Sequence, residues 1–419
     1  MQVYAARHIL PVTSPARRDG AIVVSDGRIS RVGTRAEIEA GLPDGTPVHD
    51  LGTAIVLPGL VNAHTHLELS WLGEQPLPHG DYVDWLRALL ELRERSDATR
   101  AVEAAERAIR FAVDRGTVAV GDVGNEGWVA PLVARSSLHA VLFHELYGLE
   151  TDRAEATVAR AVETMELLAT DEDVVAAGSR LCLALTPHAP HTTSTPLLRA
   201  LAGRAAASGE PLSIHVAESA AEVSLLNDGS GKLADLFRER AFAGGDWKPP
   251  GRSPAEHLKR LGALSANTLA VHCVHLDQRD RSNLQSSRAT VVTCPRSNAA
   301  LGVGIAPVPE LMREGIPVAV GTDSLASAPD LDMFAEVCAL RQQHPDLSPA
   351  AALRMATING ARALGLGERL GSIEAGKLAE LIVVPCPAGT EDPWEVLCAS
   401  PERVLRLDVA ASELAGAGS

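Results

Sequence analysis

Two histidines one residue apart, His64 and His66, close the apolar run Leu57-Pro58-Gly59-Leu60-Val61-Asn62-Ala63. In extended backbone successive side chains alternate between faces, so His64 and His66 share one face and Thr65 takes the other. Two imidazoles side by side at a strand end can bind one borderline divalent ion such as zinc. By itself the pair fits a core or surface histidine pair equally well. Four further apolar runs end in polar groups: Thr186-Pro187-His188-Ala189-Pro190-His191, Ile214-His215-Val216-Ala217-Glu218, Val271-His272-Cys273-Val274-His275 and Val320-Gly321-Thr322-Asp323-Ser324. Seven of the 14 histidines fall at these ends. One histidine in such a place is more often a hydrogen-bonded core residue than a ligand; recurrence over four run ends points to a shared site.

His64, His66, His215 and Asp323 together make a three-histidine, one-carboxylate set with room for water, a catalytic rather than a closed structural layout. A metal held there lowers the pKa of water towards ~7. Glu218, three residues beyond His215, can shuttle a proton between that water and a leaving nitrogen, or it is a solvated loop acid. His272 can orient the water or stabilise its developing charge. Asp323 can act both as ligand and as proton acceptor.

These residues need elements to bring them together. The candidate strands are Ile55–Leu57 running on towards His64, then Thr117–Val123, Ala140–Glu145, Leu181–Thr186, Leu212–Val216, Thr268–His272, Thr290–Cys294 and Pro317–Val320. The spacers carry helical periodicity over Val102–Val113, Glu155–Leu168, Pro196–Ala207 and Leu331–Gln343. Strands alternating with helices over roughly 300 residues predict an α/β fold of the (β/α)8 TIM-barrel type, whose reactive groups gather at the C-terminal strand ends. An open doubly wound sheet is disfavoured because no Gly-x-Gly-x-x-Gly fingerprint follows an early strand. Both chain ends instead read as short strands and tight turns, with Asp26-Gly27 as a hairpin signal and Leu381–Val384 as a late strand. The predicted organisation is a barrel over 58–364 and a small composite β-sandwich domain from 1–57 and 365–419.

Composition narrows the function classes. The 419 residues are 46% apolar with a formal charge of −15, which argues against a nucleic-acid partner. No window approaches the roughly 18 uninterrupted apolar residues of a membrane helix, so no membrane partner is expected. The N-terminus lacks the layout of a secretory signal. The six cysteines are scattered without a Cys-x-x-Cys pair, consistent with reduced thiols and a cytoplasmic location. Gly229-Ser230-Gly231-Lys232 lacks the upstream glycine of a P-loop. No Gly-x-Ser-x-Gly elbow is present, and the cytidine-deaminase cysteine pattern is missing.

Pro58–His66, His215-x-x-Glu218, Val271–Leu276, Ser297-Asn298 and Gly321-Thr322-Asp323 resemble, in order and spacing, the amidohydrolase superfamily and its branch of adenosine-type and aromatic-amine deaminases. The resemblance spans nearly the whole chain. It implies one divalent metal ion, Zn2+ or Fe2+, bound by His64, His66, His215 and Asp323, with Glu218, His272 and Asp323 catalytic. Binuclear members carry a carboxylated lysine on the fourth strand, whereas here no lysine precedes Lys232. Ring deamination of an aromatic amine is therefore favoured over two-metal hydrolysis.

Leu67-Glu68-Leu69-Ser70, Cys294-Pro295-Arg296-Ser297-Asn298 and Asp323–Ser327 resemble the aminodeoxyfutalosine deaminases of menaquinone biosynthesis. That implies a 6-aminopurine nucleoside substrate carrying an anionic group through its 5′ carbon. Arg296 is a candidate cation for that group, or a structural ion pair. Trp85 is a candidate pocket wall, or helix core. His188 would contact the purine, or support from behind. Glu68 would reach the pocket, and Glu91 or Glu94 would hold ribose hydroxyls. Adenosine, 5′-deoxyadenosine, S-adenosylhomocysteine, guanine and triazine substrates remain alternatives, as do cyclic-amide opening and a metal-free scaffold barrel. Relatives often pair, which leaves a homodimer open. The Gly/Pro-rich segment 243–251 is a candidate covering loop.

Overall fold

The computed structural model describes residues 1–417 except Ser96, Ala243–Asp246 and Ala388, so the start of the candidate covering loop lies outside the described residues. The chain forms two compact units. One comprises residues 1–62, 111–119 and 332–419, and the other residues 63–110 and 120–331.

The first unit carries a seven-stranded sheet drawn from both chain ends. Gln2–Ile9 pairs antiparallel with Arg17–Ser25, which pairs with Arg28–Thr34. The turn between the last two has Asp26 and Gly27 at φ 51° and 71°, the doubly left-handed geometry of a type I′ hairpin. Successive residues of Gln2–Ile9 face opposite sides. Tyr4 and Ala6 enter one apolar cluster with Ile22 and Val56, while Val3 and Ala5 enter another with Val23 and Ile38. With both faces covered, the strand reads as an almost unbroken apolar run rather than an alternating one.

The expectation of one strand from Ile55 to His64 needs correction. Ile55–Pro58 pairs antiparallel with Leu381–Val384 and parallel with Gln2–Ile9, in the sheet built from the chain ends. Leu60–Thr65 is a separate strand. The break falls at Gly59, where a Cβ would lie 2.2 Å from Val118 Cγ1, so only glycine permits the backbone to pass.

The remaining strands form two four-stranded sheets in chain order. The first is Leu60–Thr65, Thr117–Gly124, His139–Leu146 and Leu181–Pro187; the second is Leu212–Val216, Thr268–His272, Thr290–Thr293 and Val318–Val320. The second sheet is parallel throughout, as is the pairing of His139–Leu146 with Leu181–Pro187. Helices at Ala98–Asp114, Ala154–Leu168 and Thr195–Ser208 alternate with the strands, as the periodicity predicts. Hydrogen bonds join the sheet edges. His215 N–H donates to the His188 carbonyl at 2.9 Å, and the N–H groups of Thr322 and Asp323 both donate to the His64 carbonyl at 3.1 Å. The second approach requires glycine at 321, because a Cβ there would sit 2.7 Å from the His64 carbonyl oxygen. The result is an α/β fold of parallel sheets. Among the described residues no helix is long and apolar enough to cross a membrane.

Candidate active site

The C-terminal ends of these strands turn sharply. Ala217 (φ 49°), His272 (φ 68°), Cys273 (φ 52°) and Asp323 (φ 63°) all occupy the left-handed region that side-chain-bearing residues rarely adopt. Backbone strain of this kind collects at functional sites, where surrounding structure holds it in place. Here each strained residue is itself a predicted site residue or adjoins one.

His64, His66 and His215 converge. His64 Nε2 and His66 Nε2 lie 3.1 Å apart, and ring nitrogens of all three lie within 4.8 Å of one another. Asp323 Oδ1 is 3.5 Å from His66 Nε2 and 3.9 Å from His64 Nε2. Ligands held at about 2 Å from one tetrahedral ion are separated by about 3.3 Å, so these spacings match the edges of a single coordination shell. Burial is the largest influence on all three imidazoles. It lowers His66 and drives His64 and His215 well below the usual histidine range, keeping their lone pairs free of protons. Among the described residues His215 Nε2 is buried without a hydrogen-bond partner, a cost that a cation would remove. This donor set fits one divalent ion.

Asp323 is held by two hydroxyls on the same oxygen. Ser297 Oγ donates to Oδ2 at 2.6 Å and Ser327 Oγ at 3.0 Å. Burial would raise this carboxyl, but His272, His66 and His64 together with the Ser297 bond outweigh it and bring it to about 2. Glu218 behaves oppositely. Burial, with help from Asp323 and Glu222 and against the pull of His272, pushes it up to about 7. Its carboxylate faces two imidazoles whose nitrogens His215 Nδ1 and His272 Nε2 meet at 3.1 Å, with Oε2 3.9 Å from the first and Oε1 3.7 Å from the second. His272 Nδ1 pairs with Asn298 Oδ1 at 2.8 Å, which assigns the donor role to Nδ1–H. Burial would lower His272, but Glu218, Asp323 and the Asn298 bond raise it.

The cluster opens into a cavity of about 760 Å3, lined by His66, His188, His215, Glu218 and Asp323 at one end. That volume falls in the upper part of the range for small-molecule sites. Trp85 lines it, with its indole N–H donating to the Ala326 carbonyl at 2.9 Å. Glu68 lines it too; Oε2 accepts the N–H groups of Asn125 and Glu126 at 3.0 and 3.3 Å, and burial pushes the carboxyl up to about 7. His188 is brought by burial down to about 3, and its Nδ1 contacts Thr192 Oγ1 at 2.7 Å.

Arg296 does not reach this cavity. Its guanidinium bonds the Asp330 carboxylate at 2.7 Å and the Asp330 carbonyl at 2.8 Å. The structural ion pair is the observed state. Cations that do line the cavity are Arg93 and Arg240, the latter bonded to Glu94 at 2.8 Å.

Several neighbours carried no sequence signal. Tyr82 lines the cavity against Glu218, and its position on the helix Tyr82–Arg93 gives no hint of that contact. Asp122 lies buried behind the first strand end, where Oδ1 accepts the Leu67 N–H at 2.7 Å, and burial pushes it up to about 8. Glu222 was detectable only as an acid four residues after Glu218, a helical neighbour spacing.

Comparison with known proteins places this geometry in context. The sequence profile of the Amidohydrolase family matches residues 55–401. The chain is 34% identical over 392 residues to the 5-methylthioadenosine/S-adenosylhomocysteine deaminase of Moorella thermoacetica, covering 90% of this chain and 83% of that one. It is 33% identical over 357 residues to the aminodeoxyfutalosine deaminase of Deinococcus radiodurans, covering 84% and 82%. Among solved structures it resembles a zinc-bound adenosine deaminase from Xanthomonas campestris, with a TM-score of 0.79, 26% identity, and coverage of 98% and 92%.

Proposed function

The chain belongs to the amidohydrolase family and is a hydrolase of carbon–nitrogen bonds, and we propose that it deaminates a 6-aminopurine nucleoside, aminodeoxyfutalosine before others. The observation that carries this reading is Glu218, a carboxyl near pKa 7 facing His215 and His272, in the lining of a nucleoside-sized cavity that also holds Asp323. The choice of substrate rests on the relative of that name and on the segments Leu67–Ser70, Cys294–Asn298 and Asp323–Ser327. The fold assigned to it is a (β/α)8 barrel, supported by the hydrogen bonds at both sheet edges.

His64, His66, His215 and Asp323 are the residues that would hold a zinc or iron(II) ion. When bound, that ion supplies a water whose pKa is lowered towards ~7. Glu218 in its protonated form gives its proton to the ring nitrogen beside the amino-bearing carbon, which makes that carbon electrophilic. Asp323 and His272 take the proton of the water whose oxygen adds to that carbon. The proton held by Asp323 and His272 passes to the amino group, the proton of the added hydroxyl returns to the Glu218 carboxylate, and the carbon–nitrogen bond breaks with its electron pair leaving on ammonia. A ring carbonyl remains. His188 and Trp85 orient the purine and its sugar from the cavity wall. Burial excludes bulk water, which strengthens each of these charge interactions.

A second reading, deamination of 5-methylthioadenosine or S-adenosylhomocysteine, is favoured by the relative of that name at 34% identity. Ammonia release measured with zinc-loaded protein on aminodeoxyfutalosine, S-adenosylhomocysteine, 5-methylthioadenosine, 5′-deoxyadenosine and adenosine separates the two. The highest kcat/KM is expected on aminodeoxyfutalosine. Preference for S-adenosylhomocysteine transfers the assignment to the second reading, and no release from any of the five refutes nucleoside deamination.

A further inference from the structure

The turn that presents Glu218 is expensive for its residues. Strand Leu212–Val216 ends at Ala217, whose φ of 49° brings a Cβ close to its own carbonyl. Ala217 is fully buried, so water cannot satisfy its backbone groups. Its carbonyl accepts the N–H groups of Val274 and His275 at 3.1 and 2.9 Å, and Val216 O accepts that of Cys273 at 3.0 Å. The donors of the same turn go elsewhere. Glu222, only 1% exposed, receives the Ala217 N–H on Oε1 at 3.1 Å and the Glu218 N–H on Oε2 at 2.8 Å. Glu222 is in turn placed by the first turn of helix Ala220–Asp228, where the Ser219 hydroxyl caps its N–H at 3.2 Å.

From this geometry we infer that Glu222 is a positioning residue for the proton shuttle: its two carboxylate oxygens clamp consecutive amides and hold Glu218 against the His215–His272 pair. The inference rests on the deaminase reading, since it acts through Glu218. Two parallel N–H donors need two acceptors on one group. A carboxylate supplies both and carries the charge that strengthens them. A carboxamide supplies one acceptor and sets its NH2 against the other amide. His191 Nδ1 lies 3.8 Å from Glu222 Oε1, beyond hydrogen-bond distance.

The test compares zinc-loaded wild type with Glu222→Gln and Glu222→Asp. Three quantities are read: kcat and KM for the best nucleoside, zinc content with Tm, and amide hydrogen exchange of the peptide spanning Val216–Ser219. Glu222→Gln is expected to lower kcat about 10- to 100-fold, the loss of one charge-assisted hydrogen bond. KM should stay within about threefold, zinc content should not change, and the Ala217 and Glu218 amides should exchange faster. Glu222→Asp keeps the charge but draws the carboxylate back, so it falls between. Unchanged exchange in both variants overturns the clamp, as does a fall of kcat, KM and Tm together. A wild type that releases no ammonia from any adenine nucleoside refutes the deaminase reading instead, and the exchange measurement then judges the clamp alone.

Discussion

Glu218 Oε1 stands 3.7 Å from His272 Nε2, and both groups are displaced upward from their ordinary values. The causes differ. Burial raises the carboxyl, whereas His272 rises against burial because Glu218 and Asp323 carry charge that favours the imidazolium. Glu218, raised to about 7, thus keeps a proton on hand near neutrality, where an unperturbed carboxylate would have none to give.

Glu218→Gln keeps the shape and removes the shuttle. General acid–base groups of this kind contribute about 10²- to 10⁴-fold. The variant is expected to lose activity within that range, with bound zinc and Tm close to wild type. Steady-state ammonia release and metal analysis check it, and retention of more than a tenth of wild-type kcat contradicts the assigned role.

Metal removal should act on both rate and stability. Dialysis against a strong chelator is expected to abolish turnover and lower Tm, and stoichiometric zinc should restore both, because an ion that binds only the folded state stabilises it. His66→Ala removes one of the four proposed ligands and is expected to lower zinc occupancy after dialysis. Full activity in a preparation shown to be metal-free contradicts the ligand assignment.

Asn298→Ala removes the partner that fixes the Nδ1–H of His272 at 2.8 Å. Groups that orient a histidine from behind typically matter about 10- to 100-fold. The expected outcome is a fall in kcat of that size with KM nearly unchanged. An equal rise in KM would show that His272 holds substrate rather than moving a proton.

Asp122 gives a pH signature of folding. Its carboxyl is raised to about 8 by burial, from an ordinary value near 4. The folded state therefore keeps its proton longer than the unfolded chain. The stabilising contribution is complete below about pH 4 and is lost as pH rises through about 8. Asp122→Asn is neutral throughout and can still accept the Leu67 N–H, so its Tm should fall less between pH 5 and pH 9. About four pKa units at ~1.36 kcal/mol each make the difference between acid pH and pH 9 on the order of 5 kcal/mol in favour of the variant. Parallel Tm-against-pH curves for the two proteins contradict the raised value.

The order of strands and helices was legible because hydrophobic periodicity is local: each apolar run reports its own burial, and helices appear where 3.6-residue spacing predicts them. The residues His64, His66, His215, Glu218, His272 and Asp323 were legible for a similar reason, since each stands where an apolar run ends. The two readings of Arg296, substrate cation or structural ion pair, stayed undivided along the chain because the ion-pair partner Asp330 lies 34 positions away. The break at Gly59 was missed because it is a change of hydrogen-bond partner, from Glu380 to Gly116, and both partners are distant in sequence.

Residue chemistry along the chain thus determined which groups could meet, since strand ends and donor types are written locally. Tertiary structure alone decided how they meet: the 3.5 Å approach of Asp323 to His66, the raised Glu218, and the clamp of Glu222 on a left-handed turn. Distances and pKa values depend on burial and on charges brought together from distant positions, and no one-dimensional pattern carries those.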